Sequence, residues 1–158
     1  LGDYIPAKLE FDAGEKLICT VITADYSENL ILFFKNGKCA KVPLSSFATK
    51  TKRKKLANAY CDQSELVYMG KIREDAEFAL QADTLKLMVF NTALVLPKTT
   101  RDTQGVQVIR LTKGAVLKTA MPLEKAAKQI ENPEPFRAKA IPVAGTAVTV
   151  DLDQIEFD

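Results

Sequence analysis

Apolar residues in this chain gather in short continuous runs closed by turn residues, and helical spacing is rare. The run Ile31-Leu32-Phe33-Phe34 meets Lys35-Asn36-Gly37-Lys38, whose Asn-Gly pair is the strongest short hairpin signal, and Lys41-Val42-Pro43-Leu44 follows. The pattern predicts strands at 17–23, 30–34, 38–42, 66–72, 77–82, 86–90, 94–96, 106–111, 116–119 and 148–152. One short helix is expected near 121–132, with Pro122 in its first turn, Leu123, Ala126, Ala127 and Ile130 on one face, and Pro133 beyond its end. Leu32, Phe33, Val42, Leu66, Val89, Leu96, Val108 and Leu111 should be buried, and Gly37 and Gly105 should occupy turns or tight approaches. The fold class is all-β.

Part of the pattern is written twice. Leu87-Met88-Val89-Phe90, a turn at Asn91-Thr92, and Leu94-Val95-Leu96-Pro97 repeat the earlier order. Lys98, Arg101 and Gly105-Val106-Gln107-Val108-Ile109 then follow. Pro43 and Pro97 lie 54 residues apart. Self-similarity at such a period predicts a propeller-type or solenoid array of small antiparallel sheets. Repeat one is expected over about 15–72, repeat two over about 77–119, and a partial unit over about 133–158.

At 158 residues and 47% hydrophobic, the chain holds one domain's worth of core-forming material. No run of about 18 apolar residues occurs, which excludes a membrane-spanning helix. Leu1-Gly2-Asp3-Tyr4 carries neither an initiator methionine nor a signal-peptide pattern, as expected of a cut edge from a longer protein. Cys19, Cys39 and Cys61 lack metal-type spacing and fit free thiols in a reducing cytoplasm.

The net charge of +2 conceals a segregation. Lys35, Lys38, Lys41, Lys50, Lys52, Arg53, Lys54 and Lys55 stand in a stretch with no acidic residue. Elsewhere, 14 basic face 20 acidic residues. Such a concentrated positive region suits a polyanion. Catalytic constellations are missing by comparison. The chain has no histidine, its seven glycines are scattered at turns, and Glu74/Asp75 and Asp151/Asp153 fit solvated surface. Lysines along turns and strand ends can follow a phosphate backbone without reading bases, which favours duplex contact of low sequence preference. A protein-binding β-repeat module with a basic loop stays open, as does a β-domain supplying a substrate rim to an enzyme.

Phe33-Phe34-Lys35-Asn36-Gly37-Lys38 with Lys41-Val42-Pro43-Leu44-Ser45-Ser46-Phe47 resembles the blade motif of the C-terminal domain of bacterial type IIA topoisomerase A subunits, those of DNA gyrase and topoisomerase IV. In that motif an asparagine–glycine hairpin precedes a basic strand ending in proline-leucine-serine. Arg101-Asp102-Thr103-Gln104-Gly105-Val106 resembles the family's following segment, and Lys52-Arg53-Lys54-Lys55-Leu56 holds the same place in the first repeat. The similarity covers roughly residues 15–117.

This resemblance implies a β-pinwheel, here a partial or reduced ring, that binds duplex DNA along a basic rim and bends it. The implied contact residues are Lys35, Lys38, Lys41, Lys50, Lys52, Arg53, Lys54, Lys55, Lys98, Arg101, Arg110 and Lys113. The implied partners are the remaining domains of the A subunit and the ATPase B subunit, in a bacterial cytoplasm at the nucleoid. No cofactor is expected in this fragment; ATP and Mg²⁺ would serve other domains or subunits of the parent isomerase. The glycine-rich basic box that gyrase uses for wrapping is absent as such. That absence leans toward a topoisomerase IV-like subunit.

Overall fold

Continuous apolar runs arise because the central strands are covered on both faces. In β1 (Asn29–Phe34), Ile31 and Phe33 face one side while Leu30, Leu32 and Phe34 face the other, and all five are buried. The structure is a computed structural model describing residues 2–51 and 53–154; Lys52, Glu156 and Asp158 lie outside the described residues. β1 pairs antiparallel with β2 (Lys38–Pro43) and β3 (Leu66–Ile72). A second set follows in β4 (Glu77–Ala82), β5 (Lys86–Asn91) and β7 (Leu117–Pro122), again antiparallel.

Each three-stranded set is completed by a short strand from further along the chain. β6 (Val106–Gln107) joins the edge of β2, and β8 (Thr146–Ala147) joins the edge of β5. The orders are β3-β1-β2-β6 and β7-β4-β5-β8. The crossover into the first sheet needs Gly105, at φ +75°, where a side chain would collide with the Cys39 carbonyl and lie 2.8 Å from the Ala40 nitrogen.

The two sheets stack front to back. Asn29 pairs with Pro43 in the first hairpin and Glu77 with Asn91 in the second, an offset of 48 in both strands. Leu30, Leu32, Ala40 and Val42 face away from the second sheet, whereas their counterparts Phe78, Leu80, Met88 and Phe90 face the first. The same face of each unit therefore points in the same direction, as in successive propeller blades. The core between the sheets holds the rings of Phe33, Phe78 and Phe90, with Phe33 5.1 Å from Phe78 and 5.8 Å from Phe90.

The structure departs from sequence expectation at several points. Leu87-Met88-Val89-Phe90 belongs to β5, the counterpart of β2, so the repeat runs at 48 residues and Asn91, not Pro97, corresponds to Pro43. Residues 94–96 form no strand: Thr92–Leu94 is a 3₁₀ turn, Val95 points inward, and Leu96 is 78% exposed where the chain leaves the sheet. Leu66 and Leu111 are half-buried. Residues 17–23 lack a ladder partner, with Ile18 and Ile22 exposed. The segment at 121–132 is helical only as a 3₁₀ turn over Leu123–Ala126, because Met121 and Pro122 are held in β7 against Ala79 and Phe78. At 148–152 the chain runs into another 3₁₀ turn, Leu152–Gln154, in place of a strand. A four-residue helix, α1 (Ile5–Lys8), precedes the sheets. No helix among the described residues is long and apolar enough to cross a membrane.

Candidate nucleic-acid interface

The basic residues fall into two surface groups at opposite ends of β2, together with two that are engaged inside the fold. The first group surrounds the Asn36-Gly37 hairpin. Gly37 adopts φ +79°, and a side chain there would lie 2.6 Å from Gln107 Nε2 and 2.8 Å from the Ile109 carbonyl oxygen. The close approach lets the Gly37 carbonyl accept from the Val108 amide at 3.0 Å, while the Lys35 carbonyl accepts from the Leu117 amide at 2.8 Å. The loop over residues 108–117 is thereby pinned beside the hairpin, gathering Lys35, Lys38, Arg110 and Lys113. Lys38 Nζ donates to Gln104 at 3.2 Å, and Arg110 donates to the Pro142 carbonyl at 3.4 Å. Lys35 forms an ion pair with Glu65, and Lys113 is exposed.

The second group lies past Pro43. Lys98 is placed there by its own amide, which donates to the Lys41 carbonyl at 2.8 Å. Arg101 donates to the Ser46 carbonyl at 3.1 Å and the Ala57 carbonyl at 3.3 Å. It thus ties the crossover to the segment containing Lys50, Arg53, Lys54 and Lys55, all exposed. Lys54 pairs with Glu10, and Lys55 pairs with Asp12 at 2.9 Å and Glu15 at 3.1 Å. Those two hydrogen bonds raise the Lys55 pKa, so its ammonium stays charged. Among the described residues, Lys50, Arg53, Lys98 and Lys113 make no ion pair. Lys52 lies outside the described residues.

Lys41 and Arg101 turn inward. Lys41 is 7% exposed; its ammonium meets Asp75 at 2.6 Å and the Thr92 carbonyl at 3.2 Å. The Thr92 hydroxyl donates to the same Asp75 oxygen at 2.8 Å, and the Ala76 amide donates to that hydroxyl at 2.9 Å. A position that looked like rim is therefore a joint between the sheets, and the Lys41 hydrogen bond holds the Asp75 carboxyl below the usual range. The Arg101 Nε is buried without an acceptor among the described residues, its remaining nitrogens spent on carbonyls.

Sequence reasoning passed over Lys86, which stands where Lys38 stands once the offset of 48 is applied. It also treated the lysine run as free, although the chain's first 28 residues carry six acidic against two basic side chains. Cys39 is buried, and burial pushes its thiol pKa up, so it stays protonated; Cys61 is buried and Cys19 half-buried, all three free. Among the described residues no group of three or more His, Cys, Asp or Glu side chains could hold a metal ion.

Solved structures share this fold. The C-terminal domain of DNA topoisomerase IV matches 77% of this chain with a TM-score of 0.64 and 18% identity, over 38% of its own length. The C-terminal domain of DNA gyrase A matches 77% with a TM-score of 0.55 and 16% identity, over 43% of its length. The chain thus spans less than half of either solved chain, and the likeness establishes a β-pinwheel fold. No family model and no curated protein matches the sequence.

Proposed function

We propose that this chain is a DNA-binding and DNA-bending domain of a type IIA topoisomerase A subunit, presenting duplex DNA for ATP-dependent strand passage. The observation that carries the proposal is the placement of exposed cations at both ends of β2 in a fold matching two topoisomerase C-terminal domains. The remaining domains of the A subunit and the B subunit are the proposed protein partners, in the bacterial cytoplasm at the nucleoid. ATP and Mg²⁺ are assigned to those other parts.

Contact is assigned to Lys35, Lys38, Arg110 and Lys113 at the hairpin end and to Lys50, Arg53, Lys54, Lys55 and Lys98 at the crossover end, and Lys52 is assigned by its place in the same basic run of the sequence. Lys41 and Arg101 are left out because their donors already serve the fold. Phosphate neutralisation by exposed ammonium and guanidinium groups releases counterions, so affinity should fall steeply with salt and depend little on sequence. Each neutralised phosphate contributes about −0.9 to the slope of log affinity against log salt.

Two triple variants test this reading: Lys38→Glu, Arg110→Glu, Lys113→Glu, and Lys50→Glu, Arg53→Glu, Lys98→Glu. Duplex affinity at moderate salt should fall sharply in both, with melting temperatures close to the parent's because exposed charges add little to folding. Parent-like affinity in both variants would overturn the proposal, and duplex affinity that hardly changes with salt would favour a protein-binding module.

A further inference from the structure

The strongest basic run in the chain is exposed but not unpaired: an acidic segment of the same chain lies against two of its lysines. Glu10 meets Lys54, and Asp12 and Glu15 both meet Lys55, at 2.9 and 3.1 Å. The three carboxylates belong to an N-terminal arm, residues 2–28, that makes no strand with either sheet. They reach the lysines from about forty residues away in sequence. A row of carboxylates set against lysines is the arrangement a phosphate backbone would also adopt toward them.

The arm is held loosely. Leu17 is 50%, Ile18 60% and Ile22 79% exposed, so these side chains keep half or more of their surface in water, while Val21 packs against the body and Lys71 donates to the Ile22 carbonyl at 2.5 Å. Beneath it runs a groove of about 690 Å³ between Leu9, Phe11 and Leu17 on the arm and Phe47, Tyr60 and Met69 on the body. Cys19 anchors it further along, its thiol 3.5 Å from the Met69 carbonyl. The stretch from Glu10 to Glu15 meets the lysines through exposed ion pairs, which cost little to open. A duplex brings a denser line of negative charge than three carboxylates can, and it also gains from counterion release.

We propose that this acidic arm is an autoinhibitory clamp that occupies Lys54 and Lys55 until duplex DNA displaces it. The proposal rests on the DNA-binding reading above. In the docked state the crossover-end group loses two of its cations, so measured affinity equals intrinsic affinity scaled by the fraction of molecules with the arm released. Low-affinity contacts with other polyanions are suppressed by the same competition.

The test compares three forms of the whole chain binding a fluorescent duplex at one moderate salt concentration. One is the parent and one is Glu10→Gln, Asp12→Asn, Glu15→Gln. The third is a charge-matched control, Glu74→Gln, Glu124→Gln, Glu131→Gln, which neutralises exposed carboxylates elsewhere. The arm variant should bind about tenfold more tightly than the parent, as expected if roughly one parent molecule in ten has its arm released. The control should gain much less. In the parent, iodoacetamide should alkylate Cys19 several-fold faster once the duplex is added, with buried Cys39 and Cys61 unaffected. Equal gains in the two variants, or an unchanged Cys19 rate at saturating duplex, would overturn the clamp while leaving DNA binding intact. No binding by any of the three forms would remove the functional reading itself, and the clamp with it.

Discussion

Leu85 adopts φ +59° in the second hairpin, the position that Gly37 fills at φ +79° in the first. The hydrogen bonds are equivalent as well: the Gly37 amide donates to the Phe34 carbonyl, and the Leu85 amide donates to the Ala82 carbonyl, both at 2.9 Å. A left-handed conformation costs a residue with a Cβ about 1–2 kcal/mol, a strain that glycine does not carry. Leu85→Gly should therefore raise stability by about 0.5–1 kcal/mol despite the added freedom of the unfolded chain. A thermal melt of the variant checks this, and a lower melting temperature would show that the half-buried Leu85 side chain contributes more by packing than it costs in strain. Asn36-Gly37 announced its turn openly, whereas Asp83-Thr84-Leu85 did not, because leucine gives no local sign that it will be forced into a glycine conformation.

At the scale of elements, the apolar runs located β1, β2, β3, β4 and β5 closely, since strands buried on both faces, as β1, β2, β4 and β5 largely are, consist mostly of apolar residues. The phase of the repeat was misread for a related reason. β5 resembles the run at 31–34 more closely than β4 does, because β4 replaces one apolar residue with Gln81. That side chain is fully buried with both ends engaged: it donates to the Val150 carbonyl at 2.7 Å and accepts from the Leu152 amide at 2.8 Å. Between the sheets, Phe33 is the ring shared by both hairpins. Phe33→Ala should cost about 3–5 kcal/mol, because the rigid strands around it cannot close on the space. Chemical denaturation would measure the loss; a change below about 1 kcal/mol would mean that the sheets do not share a fixed core.

Across the whole molecule, several carboxylates titrate below their ordinary range. Glu28 is lowered by the Thr23 hydroxyl, Asp75 by Lys41 and Asp151 by Lys118. A depressed folded pKa means that the unfolded chain takes up protons first as pH falls. The stability these groups contribute is complete above the usual carboxylate pKa and is lost as pH drops through the folded values. The denaturation midpoint should hold from neutral pH to about pH 5 and then decline, with the Asp75→Asn variant declining less. DNA topology supplies a second test at this scale. Bending a short duplex through a large angle costs several kcal/mol, on the order of 1–6 by elastic estimates, and needs a continuous basic track. Here the cations form two separated groups, the net charge is only +2, and Asp151 and Asp153 already engage Lys118. Closing a nicked circle in the presence of the chain should leave its linking number almost unchanged. A dose-dependent shift toward positive writhe would instead indicate gyrase-like wrapping.

Local pattern alone determined the β class, the first hairpin and the segregation of charge, because alternation, turn chemistry and formal charge are properties of neighbouring residues. Tertiary structure decided the rest. Whether Lys41 meets solvent or Asp75 depends on a residue 34 positions away, and whether Lys54 and Lys55 are free depends on carboxylates 44 and 40 to 43 positions away. The completion of each sheet by β6 and β8 likewise joins segments that share no local signal. Leu17, Ile18 and Ile22 carry strand-forming side chains, yet no neighbouring ladder receives them, and a strand without a partner leaves its backbone hydrogen bonds to water.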